Sequence, residues 1–174
     1  MNLTTPRLRL RLFQAADINV SYLTWLNDSE VTRFSNQRFY EHTAASCAAY
    51  LASFEGSSNS FLLIEKVEDQ LPIGTVTVYR KTQHGTADIG LMVGDRRCWG
   101  QGYGLEAWQA VMGAVLAEVG IRKVTGGAAR PNRAMVRIME QSGMELEAVR
   151  ARQELIDGQP VDLLYYALFA DSAA

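Results

Sequence analysis

The stretch that decides the fold is Asp88–Ala107, which reads DIGLMVGDRRCWGQGYGLEA. Apolar residues alternate in its first half, as in a strand with one buried face: Ile89, Leu91 and Val93. From Leu105 onward, apolar residues recur every three or four positions, as on one side of a helix. Three glycines at alternate positions separate the two patterns: Gly100, Gly102 and Gly104. The pattern predicts a strand, a tight turn and a helix.

The glycine turn has the properties of a phosphate site. Glycines lack a Cβ atom, so the backbone amides can approach a ligand closely, and a helix N-terminus carries the positive end of the helix dipole. The Lys-Ser/Thr pair of a Walker loop is missing, and the spacing is not that of a dinucleotide fingerprint. Alternating glycines on their own are equally expected of a plain turn, so the surrounding chain must decide.

Composition restricts the class of protein. With 174 residues and 48% hydrophobic content, we expect a single domain over residues 1–174. The net charge of -2 gives no basic field for a nucleic acid, and no stretch reaches the roughly 18 apolar residues of a membrane span. The two cysteines, Cys47 and Cys98, and two histidines lack metal-ligand spacing. We therefore expect a cytoplasmic protein with no metal, no nucleic-acid partner and no membrane partner.

Periodicity predicts the order of the remaining elements. Arginines alternate with leucines in Arg7–Phe13, which predicts a strand whose arginines face solvent, with a functional basic patch as the alternative. Helices are predicted over Ala15–Leu26, Thr43–Phe54, Gly102–Val119 and Asn132–Gly143. Strands are predicted over Ser60–Val67, Pro72–Arg80, Ala87–Val93 and Ile121–Gly127, followed by a hairpin of Ala148–Ile156 and Pro160–Phe169 around Asp157 and Gly158. The fold class is α/β (α+β), a mixed and mostly antiparallel sheet with helices on both faces.

Two motifs carry a resemblance to a known family. The segment WGQGYGLEA resembles the pyrophosphate-binding motif of the GCN5-related N-acetyltransferases (GNAT), above all the branch that includes ribosomal-protein N-terminal acetyltransferases. Trp99 takes the place of the Gln or Arg that usually opens the motif; Arg97 marks an alternative register. PNRAMVRIMEQSGM, at Pro131–Met144, is similar to the second motif of the family. The resemblance covers Arg7–Phe169 and implies the acyl-CoA N-acyltransferase fold, with acetyl-CoA as cosubstrate.

The resemblance also implies which residues bind the cosubstrate. The pyrophosphate would lie on the turn formed by Trp99, Gly100, Gln101, Gly102, Tyr103 and Gly104. The fourth predicted strand would splay from the fifth and offer the backbone of Leu91, Met92 and Val93 to the pantetheine arm, with an amide near Met92 facing the thioester oxygen. Asn132 would contact the pantetheine or cap its helix, and Arg96 and Arg97 would pair with the adenosine phosphate or simply be solvated.

The catalytic residues are less clearly marked. Asp88 matches the glutamate base of the histone acetyltransferases, so it is the candidate for accepting the amine proton. Met139 and Gly127 stand where relatives have a tyrosine acid and a glutamate. An α-amine, with a pKa of about 8 against about 10.4 for lysine, needs less help from a base. We expect a primary amine acceptor: a small molecule such as an antibiotic, an amino sugar or a protein N-terminus. The alternatives are a non-catalytic CoA-binding or sensing module and an unrelated α/β domain.

Aromatic residues are the candidates for the acceptor walls. Phe34, Phe39 and Tyr40 lie in an irregular segment that closes over the acceptor in the resembling family, although they could equally cover an edge of the core. Tyr165 and Tyr166 are adjacent on a predicted strand, so at most one of them faces the acceptor. The sequence leaves a homodimer open.

Overall fold

The computed structural model describes residues 1–170. In this part of the chain, eight strands form one sheet with the order β1-β2-β3-β4-β5-β6-β8-β7. The strands are β1 (Leu3–Thr4), β2 (Leu8–Leu12), β3 (Ser60–Lys66), β4 (Pro72–Lys81), β5 (Thr86–Val93), β6 (Lys123–Ala129), β7 (Glu145–Ile156) and β8 (Gln159–Phe169). The helices are α1 (Val20–Asn27), α2 (Ser29–Thr32), α3 (Ala44–Ala52), α4 (Tyr103–Leu116) and α5 (Arg133–Gln141).

The predicted elements are confirmed with three local corrections. The first predicted helix is wrong over Ala15–Asp17, which forms a 3₁₀ turn; α1 begins only after Asn19, whose side chain accepts a hydrogen bond from the N–H of Tyr22. Strand β1 and the short helix α2 were not predicted, because two- and four-residue elements carry no measurable periodicity. Helix α4 ends at Leu116, a few residues before Gly120, which has a φ of +87°.

Helices cover both faces of the sheet, as predicted. On one face, α4 and α5 pack on the main core, where Trp108, Val111 and Val115 of α4 are fully buried. Each such side chain stabilises the fold by about 1.5–3 kcal/mol. On the other face, α1 and α3 bury a second cluster that includes Phe13, Tyr22, Trp25 and Phe61.

Strands β5 and β6 separate after three residue pairs. They are the parallel pair of the sheet, and their pairing runs from Thr86 with Lys123 to Asp88 with Thr125. Beyond it, β5 continues to Val93 and β6 to Ala129 without pairing to each other. This opening, called the gap below, confirms the predicted splay and connects the two faces of the sheet.

No helix among residues 1–170 is both long enough and apolar enough to cross a membrane.

Candidate functional site

A cavity of about 1090 Å³ passes through the gap. On the α4 side its wall includes the glycine turn, the first turn of α4 and part of α5. On the other side the cavity continues between the sheet and helices α1–α3; this part is called the acceptor chamber. Its lining includes Tyr22, Leu26, Cys47, Tyr50, Phe61 and Met92. The glycine turn and the predicted acceptor walls are therefore two ends of one space.

The glycine turn has the geometry that its glycines predict. Gly100 and Gly102 have φ values of +73° and +81°, a region that L-residues with a Cβ atom rarely occupy. Gly102 is the N-cap of α4, and a Cβ atom on Gly104 would lie 3.1 Å from Cδ1 of Ile138 in α5. The first amides of α4 have no carbonyl partner within the helix and point out of its N-terminus.

Arg7 lies beside the glycine turn. The alternating sequence pattern gave no sign that Arg7, rather than Arg9 or Arg11, would do so. Its guanidinium lies 4.5 Å from the ring centre of Tyr103, and its NH1 donates to the carbonyl of Gln101 at 2.9 Å. Its Nε donates to Glu106 at 2.6 Å, which fixes it against the first turn of α4. The alternating pattern predicts that the arginine side chains face solvent, but only the tertiary structure shows which of them lies at the glycine turn.

Arg97 does not reach the cavity. Its Nε and NH2 donate to the two carboxylate oxygens of Asp95 at 3.0 and 2.8 Å, and this pairing lowers the pKa of Asp95. Arg96 lies 3.6 Å from the carboxylate of Asp28. Gln101 also lies outside the lining, with its side chain bonded to the carbonyl of Arg97. Both arginines lie near a carboxylate and remain largely exposed, so their contact with the adenosine phosphate stays a prediction.

Hydrogen bonding between β4 and β5 determines which backbone groups face the gap. The N–H of Gly94 donates to the carbonyl of Ile73 at 2.9 Å, while Val93 pairs with Gly74. In an antiparallel ladder this makes Val93 and Gly74 a pair without mutual hydrogen bonds. The N–H and C=O of Val93 therefore point away from β4 and into the gap.

The alternation of the ladder corrects one prediction. Leu91, two residues earlier, also directs its N–H and C=O into the gap, whereas the backbone groups of Met92 bond to Thr75 in β4. The predicted free backbone of Met92 is therefore wrong, whereas the amides of its two neighbours do face the gap; Met92 itself lines the cavity. Trp99 donates through Nε1 to the carbonyl of Val93 at 2.7 Å. The amides that remain available are those of Leu91 and Val93.

A buried donor without a partner lies in the cavity wall. Nε1 of Trp108 has no hydrogen-bond partner among the described residues, although the residue is fully buried. A Cβ atom on Gly126 would lie 2.6 Å from Cη2 of this indole, so the ring edge rests against β6 where the gap begins. Met139, which stands where relatives have a tyrosine, is also fully buried beside the Trp108 ring. The free β5 amides fit a ligand rich in carbonyl groups, such as the pantetheine arm of CoA.

Asn132 has the position that both of its predicted roles require. Its side chain accepts a hydrogen bond from the N–H of Met135 at 3.2 Å, so it caps α5. It also lines the cavity at the end of β6.

Asp88 lies at the closed end of the gap. Its carboxylate accepts a hydrogen bond from the hydroxyl of Thr125 at 2.7 Å, across the last pair of β5 and β6. The residue as a whole is exposed, but its carboxyl is set against β6, and this burial raises its pKa while the Thr125 hydrogen bond opposes the rise. The cavity lining at this level is Gly90 and Gly127, so Asp88 stands just outside it.

The predicted acceptor walls divide into two groups. Phe34 and Tyr40 line the mouth of the acceptor chamber, whereas Phe39 is exposed beneath the guanidinium of Arg38 and does not line it. Tyr166 is buried and donates to Glu140 at 2.9 Å. Tyr165 is half-buried beside Gly127, also outside the lining. An aromatic residue therefore marks a wall only where the tertiary fold directs it inward.

The family model described as an acetyltransferase (GNAT) domain matches residues 7–145, which is more than half of the chain. The chain belongs to the GNAT acetyltransferase family. This confirms the resemblance drawn from the glycine turn and the second motif. No curated protein matches the chain in a sequence search.

Solved structures agree with the family assignment. A GNAT acetyltransferase from Bacillus anthracis has a TM-score of 0.83 at 20% identity, covering 99% of this chain and 100% of its own. A ribosomal L7/L12 α-N-protein acetyltransferase in complex with CoA has a TM-score of 0.83 at 18% identity, covering 99% of both chains. A spermidine N-acetyltransferase from Vibrio cholerae, in complex with CoA and spermine, has a TM-score of 0.83 at 15% identity, covering 95% of this chain and 97% of its own. They confirm the acyl-CoA N-acyltransferase fold.

This GNAT protein is an N-acetyltransferase that uses acetyl-CoA as its cosubstrate and a primary amine as its acceptor. The reaction needs a site for the CoA arm and a separate approach for the amine. The cavity provides two such ends, joined through the gap.

Proposed function

We propose that the enzyme holds acetyl-CoA across the glycine turn and the gap, and acetylates an α-amine that enters from the acceptor chamber. The observation that carries this proposal is the continuity of the cavity from the glycine turn through the gap to helices α1–α3. A cosubstrate and an acceptor can then meet inside the gap while each arrives from its own face of the sheet.

The pyrophosphate lies on the first amides of α4 in this proposal. The positive φ of Gly102 turns the chain so that the first amides of α4 are available to phosphate oxygens, and the absent side chain of Gly104 lets this first turn pack closely on Ile138 and Val93. Arg7 steadies the turn by donating to the carbonyl of Gln101, while its own charge is paired with Glu106. Trp99, Gly100 and Tyr103 complete the turn as cavity-lining residues. Gln101 contributes its carbonyl as the anchor of Arg7.

The pantetheine arm lies along the free edge of β5. The N–H groups of Leu91 and Val93 face the gap and would pair with its amide carbonyls as a neighbouring strand would. The side chain of Asn132 is a further polar group of the same wall. The thioester is the end of CoA that is remote from the pyrophosphate, so it lies toward the closed end of the gap.

Asp88 takes the amine proton through a water molecule. Its carboxylate is at the closed end of the gap but outside the cavity lining, so it is too far back for direct contact with a bound amine. The amine nitrogen attacks the thioester carbon, the C–S bond breaks, the thiolate of CoA leaves, and the amine proton passes to the carboxylate and then to solvent. A remote base suits an α-amine with a pKa of about 8 better than a lysine side chain at about 10.4.

The acceptor is an α-amino compound, either a small molecule or a protein N-terminus. One of the similar structures is named as an α-N-protein acetyltransferase and another as a spermidine N-acetyltransferase, so the fold serves a protein α-amine in one case and a small polyamine in the other. An amino sugar remains the second candidate, because its amine also has a low pKa. We further propose a cytoplasmic enzyme with no nucleic-acid partner, and a homodimer as its assembly.

Release of free thiol from acetyl-CoA tests the activity. We expect steady thiol release when the protein and acetyl-CoA are mixed with α-amines, and much slower release with Nε-amines of lysine at neutral pH. If none of the amines in the panel gives thiol release, the proposal is contradicted. A clear preference for the lysine Nε-amine would contradict it as well.

The pH profile of the Asp88→Asn variant tests the base. The raised pKa of Asp88 means that its carboxylate accepts protons only above that value, while an α-amine is largely protonated below about pH 8. The loss of kcat/KM should be largest between these limits, about a hundredfold at the low end of what a positioned base contributes, and should shrink above pH 8. Thr125→Val removes a hydrogen bond that lowers the Asp88 pKa, so it should move the acid limb of the profile to higher pH. Equal loss at every pH, or no loss, removes Asp88 from the mechanism.

A further inference from the structure

The walls of the acceptor chamber carry no charged side chain. Tyr22, Leu26, Cys47, Tyr50, Phe61 and Met92 form its inner surface, with the hydroxyls of Thr75 and Thr77 on the sheet. The charged residues on this side of the cavity are Glu30, Arg33 and Glu41, and all of them come from the segment before α3. The interior is therefore suited to an uncharged group, and charge is recognised at the mouth.

Phe61 lines the chamber and is surrounded by four aromatic rings: Phe13, Tyr22, Tyr50 and Phe54. Phe13 stacks on this ring at 4.4 Å between centroids, with an angle of 22° between the planes, and Phe54 stacks on it at 5.4 Å and 24°. Its π-faces are therefore covered by neighbours. A ring edge is the positive part of the aromatic quadrupole, so it attracts the face of another aromatic ring and gives no cation–π stabilisation to an ammonium group.

The mouth of the chamber has two carboxylates without partners. Arg33 is paired with Asp157 at 2.7 Å, so its charge is compensated. Within residues 1–170, the side chains of Glu30 and Glu41 make neither an ion pair nor a hydrogen bond. Arg38 of the same segment donates only to carbonyl groups, those of Ser35 and Leu155, but it lies outside the cavity lining, whereas Glu30 and Glu41 are part of that lining. The two lining carboxylates therefore attract a cationic amine and disfavour a ligand with a free carboxylate, over a range that salt limits to about 10 Å.

We infer that the acceptor is an α-amine whose neighbouring substituent is an aromatic ring and which carries no free carboxylate. This inference rests on the proposed function, because it assigns the amine to the gap and the rest of the acceptor to the chamber. The ring lies against the edge of Phe61, between α1 and α3. The aromatic amide of an amino acid and an aromatic peptide N-terminus share this chemistry.

A polyamine fits the chamber poorly. With one amine in the gap, its other ammonium groups would enter a space lined by apolar side chains and ring edges. Burying an ammonium without a carboxylate partner is strongly unfavourable. The carboxylates at the mouth could bind such a chain outside the chamber, but they would not direct its terminal amine into the gap.

Four amines separate the three parts of this inference: phenylalaninamide, alaninamide, phenylalanine and spermidine. Alaninamide lacks the ring, phenylalanine adds a carboxylate, and spermidine adds charge. Thiol release should give phenylalaninamide a kcat/KM at least tenfold above each of the others. A higher value for alaninamide or spermidine overturns the aromatic assignment, and an equal value for phenylalanine overturns the role of the mouth. Absence of thiol release with all four, alongside intact CoA binding, overturns the proposed function itself.

Variants locate the ring and the charge. Cys47→Met extends a side chain from α3 into the chamber and should reduce kcat/KM for phenylalaninamide about fivefold without changing that for alaninamide. The alaninamide rate shows that the variant is folded. The double variant Glu30→Gln with Glu41→Gln should narrow the difference between phenylalaninamide and phenylalanine, whereas Glu55→Gln, an exposed carboxylate outside the cavity, should leave it unchanged. Equal loss for both amides in Cys47→Met, or an unchanged difference in the double variant, contradicts the inference.

Discussion

The glycine turn and the acceptor chamber are the two ends of one cavity, but they are built in different ways. The turn is formed by consecutive residues, and its shape depends on backbone angles such as the φ of +81° at Gly102. The chamber is assembled from side chains of α1, α3, β3 and β5, which are up to 70 positions apart, from Tyr22 to Met92. A site built from consecutive backbone groups can be recognised from a short sequence motif. A site built from side chains that are distant in sequence cannot.

The two ends also differ in what holds them in place. The turn is fixed by Arg7 and by the start of a 14-residue helix. The mouth of the chamber is tied to the terminal hairpin by exposed contacts, from Arg33 to Asp157 and from Arg38 to the carbonyl of Leu155 at 3.1 Å. We therefore expect substitutions at the turn to have large effects on CoA and substitutions at the mouth to have smaller effects on the amine.

The largest effect is expected for Gly102→Val. A β-branched residue strains the positive φ, and its Cβ atom would lie 3.4 Å from NH2 of Arg7. The dissociation constant of CoA should rise at least about tenfold, or about 1.4 kcal/mol, in a calorimetric titration. Gly113→Ala, at an open position in the same helix, is the matched control and should leave CoA binding unchanged while stabilising the fold by roughly 0.5–1 kcal/mol. Unchanged affinity in Gly102→Val would mean that the turn is not the phosphate site.

An intermediate effect is expected for Arg33→Gln at the mouth. Loss of the contact with Asp157 frees the segment before α3 from the hairpin, so the Michaelis constant for the amine should rise about threefold with that for acetyl-CoA unchanged. Asp157→Asn should have the same effect, and the double variant should be no worse than either single variant. Additive losses in steady-state kinetics would show that the two residues act separately.

The smallest effect is expected for the adjacent tyrosines of β8. Tyr166→Phe removes the hydrogen bond to Glu140 and should lower the free energy of unfolding by about 1 kcal/mol, with unchanged kinetics. Tyr165→Phe should change neither, since its ring lies beside Gly127 but outside the cavity lining. A raised Michaelis constant for the amine in Tyr165→Phe would extend the acceptor chamber to the hairpin.

Much of the fold could be predicted from the sequence because its elements have strong periodicity. The hairpin turn at Asp157 and Gly158 has the positive φ values, 51° and 75°, that this pair of residues favours. The boundary of α1 was not predictable in the same way, since Ala15–Asp17 has helical spacing but Asn19 offers a better cap. The helix could start at Ala15 or after Asn19, and the capping hydrogen bond of Asn19 decides between them. Hydrophobic periodicity carries no information about such a bond.

By itself, the sequence determined the strand, turn and helix of residues 88–116, the order of the major elements, and the similarity to the GNAT family. These features depend on neighbours in the chain, so they are present in its local pattern. Only the tertiary structure decided that Leu91 and Val93, and not Met92, face the gap, because this depends on the register with β4. It also brought Arg7 to the turn and left Arg97 with Asp95. The acceptor chamber was decided in the same way, since rings distant in sequence cover the faces of Phe61 only after the chain has folded.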